Sequence, residues 1–96
     1  MGTIENTQFT VEELELFEKK VRNNEAEKQE YEKFEKYISF FGLGAYLKDK
    51  IRENGLSNLE DYLYERNRRG KDTSIVTGTI LGILSAIKRH LTNKLY

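Results

Sequence analysis

Hydrophobic patterning is strongest in the C-terminal stretch from Thr73 to Tyr96. At about 100° per residue, Val76, Ile80, Ile83, Leu84, Ile87 and Leu91 fall on one side of a helix and form a core face. Gly78, Gly82 and Ser85 gather on the opposite side, flanked by Ile75, Leu81 and Ala86 rather than by charges. A helix that is apolar on nearly all sides through its first half needs cover on more than one side, so the rest of the chain is expected to pack around it.

Upstream, Thr10 and Glu13 have the spacing of a capping box, with Phe9 placed as a staple residue before the helix they open. Val11, Leu14, Phe17 and Val21 give the first apolar stripe, which thins through Arg22–Glu30 and resumes at Tyr31, Phe34, Tyr37, Ile38 and Phe41. Two structures fit: one helix from Val11 to about Phe40, roughly 45 Å long, or two helices broken near Asn23-Asn24. No Gly or Pro interrupts, and Glu, Lys, Gln and Ala are good helix formers, which favours the single long helix. Gly42 and Gly44 mark a corner. Leu43, Leu47 and Ile51 then make a short helix that Gly55 ends, with Leu56 packing back on it. Ser57 and Glu60 form a second capping-box pair, opening a helix with Leu59, Tyr62 and Leu63 inward. Its end is basic, and Asp72 or Thr73 caps the final helix. The pattern predicts an all-α bundle of four helices, or five if the first is broken. Residues 10–96 form a single domain behind a flexible tail over residues 1–9.

The chain has 96 residues, enough for one modest core. It has 16 basic and 16 acidic side chains, so no global field draws it to nucleic acid or membrane. The distribution is uneven, however. Residues 1–36 hold ten acids against six bases, and residues 37–96 hold ten bases against six acids, which hints at a basic working surface. Cysteine is absent, which excludes disulfides, thiolate catalysis and cysteine-type zinc clusters and fits a cytoplasmic or intravirion setting. The uncharged run from Thr73 to Ile87 is shorter than the ~20 residues needed to span a bilayer, so no membrane role is expected.

Candidate chemistry is sparse. His90 is the only imidazole. The positions a turn away, Ala86, Ile87, Asn93 and Lys94, offer no second metal ligand. The carboxylates of the first helical region sit at i,i+4 spacings with bases, as in Glu15 with Lys19, Glu18 with Arg22 and Glu32 with Lys36, which suits surface ion pairs. No nucleophile turn or phosphate loop is present: Gly42-Leu43-Gly44 lacks a third glycine and a preceding strand. No catalytic, cofactor or metal residues are assigned, and a non-enzymatic role is expected. Of the aromatics, Tyr62, Tyr64 and Tyr96 are the candidates to face outward. Tyr64 stands near Arg66 and Arg68, a mixture that can stack on bases or meet an acidic partner.

Residues 57–92 resemble part of the helical core-binding domain, a SAM-like fold, of tyrosine recombinases and phage integrases. The resemblance is carried by Leu59-Glu60-Asp61-Tyr62-Leu63, by Arg68-Arg69-Gly70, by Thr79-Ile80 and by Leu84-Ser85-Ala86-Ile87-Lys88. It implies a phage or mobile-element protein that grips DNA through basic helix surfaces, with strand cleavage left to a separate domain that this chain lacks. Together with the charge asymmetry, it makes Arg66, Arg68, Arg69, Lys71, Lys88 and Arg89 the expected nucleic-acid contacts. The alternative is a regulatory or assembly protein that binds another protein, or a homodimer formed through Gly78, Gly82 and the first helix. In the monomer, the first helix would instead fold back over the glycine face.

Overall fold

The computed structural model describes residues 9–70 and 72–94. They form five α-helices: α1 Val11–Arg22, α2 Lys28–Ser39, α3 Gly44–Glu53, α4 Leu59–Arg68 and α5 Ser74–Lys94. Among the described residues there is no strand, and no helix is long and apolar enough to cross a membrane. Positions 1–8, Lys71 and Tyr96, to which the sequence assigned a tail, a cation and an outward tyrosine, lie outside the described residues.

The long N-terminal helix favoured by propensity is two helices. α1 ends in a Schellman motif: Asn24 takes the left-handed conformation (φ 58°), its N–H bonds to Val21 O, and Glu25 N–H bonds to Lys20 O at 2.7 Å. Asn tolerates that conformation better than other side-chain-bearing residues. Glu30 then reaches back to accept from Glu27 N at 2.8 Å, half of a capping box, where α2 opens. What the break gains is tertiary. α2 folds back antiparallel on α1, so that the Phe17 ring meets Tyr31 at 5.4 Å and Phe34 at 5.2 Å. Phe9, ahead of α1, reaches Tyr37 in the last turn of α2 at 5.3 Å. Lys20 closes the hairpin with Glu30 at 2.9 Å. Phe9 therefore belongs to the packed body, in the staple position expected of it.

Other helix ends follow local chemistry. Thr10 and Glu13 make the reciprocal capping box. Gly42 takes φ 74°, and Gly44 is buried so close to Ser39 that a Cβ there would lie 2.7 Å from the hydroxyl. α3 ends at Gly55 with a further Schellman motif, Leu56 N–H to Ile51 O, and Leu56 is buried. The cap of α4 is Asn58 rather than Ser57: its Oδ1 accepts from Asp61 N, while Asp61 returns a carboxylate oxygen to Ser57 N. Ser57 and Asn58 can both cap; the later start puts Leu59 and Tyr62 on the buried side. Thr73 holds the N-cap position of α5, its carbonyl accepting from Thr77 N, while Asp72 just ahead of it accepts from Ser74 N at 3.0 Å, a bond that holds its carboxyl below the ordinary value.

α5 is the spine. Val76, Ile80, Ile83, Leu84 and Ile87 are buried, with Leu91 half-buried beside them. α1 packs on one flank of α5 and α3 on another, while α2 lies across α3 and α4. Of the three i,i+4 ion pairs expected along the first helical region, only Glu18 with Arg22 forms among the described residues.

Candidate interaction surfaces

Of the six cations expected to touch nucleic acid, five lie among the described residues, and the structure disperses them. Arg66 is half-buried and turned inward. Its Nη1 donates to Tyr62 Oη at 2.7 Å and to Thr77 Oγ1 at 3.0 Å, while Nη2 donates to the Val21 carbonyl. The planar guanidinium has donors pointing in several directions, which lets one side chain join the end of α1 to α4 and α5. Tyr62, a candidate to face outward, is fully buried, its hydroxyl 2.7 Å from Thr77 Oγ1 and its ring edge-on to Tyr31. Burial also pushes the Tyr31 phenol above its ordinary value.

Lys88 is committed as well. Its ammonium donates to Glu18 on α1 at 2.5 Å, and both side chains are largely buried. That bond, with Arg22 adding to it, holds the Glu18 carboxyl below the ordinary 4.5. Arg68, Arg69 and Arg89 remain exposed. Arg68 and Arg69 close α4, whereas Arg89 stands about 22 Å along α5 from Ser74 at 1.5 Å per residue. Arg68 lies over the exposed Tyr64 ring at 5.7 Å, and Arg69 takes the left-handed turn conformation beside it. This end of α4 is a small arginine–tyrosine cluster. It does not continue to Arg89 as one basic surface.

A second surface runs along α5. Ile75, Gly78, Gly82, Ser85, Ala86 and Arg89 are exposed and share about 100° of the helix circumference. A Cβ built on Gly78 or Gly82 meets nothing within 4 Å. The expected fold-back of the first helix over this face does not occur, because α1 occupies the core side of α5 through Leu14, Phe17 and Val21. For the same reason the glycines and the first helix are not one interface. α3 supplies the second wall, and together they form an open groove of about 510 Å³ lined by Leu43, Tyr46, Ile75, Gly78, Thr79, Gly82, Ile83 and Ala86. Among the described residues no charged side chain lines it. Ile75 is 58% exposed and Tyr46 47%, large apolar surfaces to leave beside glycines.

Sequence reasoning found the glycine face but missed Tyr46 and Leu43, since the α3 stripe Leu43, Leu47 and Ile51 gives no sign of facing α5 across a groove. His90 is exposed, with its ring edge-on to Phe41 at 6.2 Å. The described residues contain no group of three or more His, Cys, Asp or Glu side chains arranged to hold a metal. Comparison with protein-family models, with curated proteins and with solved structures returns no match.

Proposed function

We propose that this chain is a non-enzymatic helical interaction module of the cytoplasm that docks a protein partner in the groove between α3 and α5. The carrying observation is the uncovered apolar face of a helix whose opposite side is the core: Ile75, Gly78, Gly82 and Ala86 with Tyr46 beside them. Glycines let a partner backbone approach closely, and a flanking Ile and Tyr supply the apolar contact that an interface core needs. The test is a photoreactive side chain placed at Gly82, and as a control at the exposed Leu16 on α1, in cells that make the protein. A discrete cross-linked protein from Gly82 alone, lost when Tyr46→Glu is added, supports the reading. Equal, diffuse labelling from both positions overturns it.

A second reading is favoured by the Tyr64–Arg68–Arg69 cluster, and the resemblance to the core-binding domain of tyrosine recombinases points the same way. On this reading nucleic acid lies at the end of α4, with a base on Tyr64 and phosphates at Arg68 and Arg69. Binding of labelled duplex or single-stranded oligonucleotides at low salt, weakening steeply as salt rises and abolished by Tyr64→Ala with Arg68→Ala, supports it. No binding at low salt removes it.

A further inference from the structure

Resting on the docking reading, we infer that the partner is a second copy of this chain, paired antiparallel along α5 about a two-fold axis at Gly82. An isologous contact brings one patch against itself, so its residues must match when the helix direction is reversed. A two-fold at Gly82 places Gly78 opposite Ala86 and Thr79 opposite Ser85, small residues facing small residues through the middle of the contact.

Charge selects the orientation. Arg89 is the charged residue of this face and has no ion pair among the described residues. Asp72 lies at the other end of α5, exposed, with Ser74 N as its hydrogen-bond partner. Antiparallel pairing brings Arg89 of one copy to the level of Ile75 on the other, with the partner's carboxylate at position 72 about 5 Å further along the axis and within reach of the guanidinium. Parallel pairing would set Arg89 against Arg89, a like-charge contact that disfavours it. The formal net charge of zero leaves no long-range repulsion between copies. Tyr46 on α3 then walls the groove in which the second α5 lies.

The cysteine-free chain permits a direct test, since single cysteines can be placed at will. Four cysteine variants are needed, Gly82→Cys, Gly78→Cys, Ala86→Cys and, as a control on an exposed site, Asn67→Cys, each confirmed as helical and cooperatively folded. Under mild oxidation at high micromolar concentration, Gly82→Cys should cross-link about tenfold faster than Asn67→Cys, because a paired thiol sees an effective concentration in the millimolar range. A mixture of Gly78→Cys and Ala86→Cys should give mainly the mixed dimer. The unmodified chain should sediment as a dimer, and both Arg89→Glu and Asp72→Asn, the latter keeping an oxygen to accept from Ser74 N, should lower the dimer fraction. A monomer at high micromolar concentration with Gly82→Cys no faster than the control overturns self-pairing. Preferential Gly78→Cys self-linking overturns the antiparallel arrangement. Because the purified chain is the only component, these failures leave the cellular cross-link from Gly82 to decide the docking reading by itself.

Discussion

Replacing Arg66 by Met should destabilise the fold by about 2 kcal/mol, well short of what three independent charged hydrogen bonds would suggest. The guanidinium bonds Tyr62 Oη, Thr77 Oγ1 and the Val21 carbonyl. Hydrogen bonds to a charged group contribute roughly 1.5–3 kcal/mol each in mutational series, so simple addition over three bonds gives about 4.5–9. Two features reduce that figure. Tyr62 and Thr77 keep each other at 2.7 Å when Arg66 is gone, and Val21 O still accepts from Asn24 N at 3.2 Å, so no buried group is orphaned. The site is also half-exposed, and Met retains the packing of the aliphatic stem. In a domain of this size a loss of about 2 kcal/mol lowers Tm by roughly 8–16 °C, easily read by thermal unfolding in far-UV circular dichroism. Arg66→Lys should recover less than half, because a single ammonium cannot serve three directions at once. Arg68→Met, on the exposed ring of Tyr64, should stay within about 0.5 kcal/mol. If Arg66→Met is as mild as Arg68→Met, Arg66 is not a structural tie and returns to the set of cations free for a ligand.

Core, turn and charge give three further expectations. Ile80→Ala and Ile87→Ala should each cost ~2–5 kcal/mol in urea unfolding, and losses of about 0.5 kcal/mol or less would show that this face of α5 is not the core. At Asn24, with φ 58°, Gly should be neutral or stabilising and Val should cost ~1–2 kcal/mol; the reverse order, Val better than Gly, would mean a continuous α1–α2 helix. Because the Lys88 ammonium depresses the folded-state pKa of Glu18 below its ordinary 4.5, the stability from this pair is present above that value and disappears as pH falls through the lower folded-state value. Lys88→Met should therefore flatten the decline in unfolding free energy between neutral and acid pH, and an unchanged slope would contradict the pairing.

What the sequence reveals of the fold is what is local or strictly periodic. The stripe Val76, Ile80, Ile83, Leu84 and Ile87, the Thr10–Glu13 cap and the Gly55–Leu56 stop all depend on neighbours within a turn or two. The break at Asn24 is different, because local propensity across Arg22–Glu30 favours continuation and the energy that wins is ring packing of Phe17 on Tyr31 and Phe34. Tyr62 is placed inward by helical spacing and outward only by its polar tip and basic neighbours; its hydroxyl is satisfied inside by Thr77, fifteen positions away, and by an arginine that sequence adjacency assigns to the surface. The candidate site divides along the same line. Gly78 and Gly82 are legible as a face of one helix, whereas the groove needs Tyr46 from another. The basic surface expected from charge asymmetry and resemblance takes no account of tertiary partners, and Lys88 finds its partner seventy residues away in Glu18.

Amide chemical shifts followed by NMR over a dilution series, and then with added oligonucleotide, test most directly whether the working surface is the α3–α5 groove. Dilution of the unmodified chain should shift Ile75, Gly78, Thr79, Gly82, Ala86 and Arg89 together with Tyr46, leave α1 and α2 unmoved, and fit a single monomer–dimer equilibrium. Spectra independent of concentration, with oligonucleotide shifting Tyr64, Arg68 and Arg69 instead, would place the working surface at the end of α4 and contradict the account.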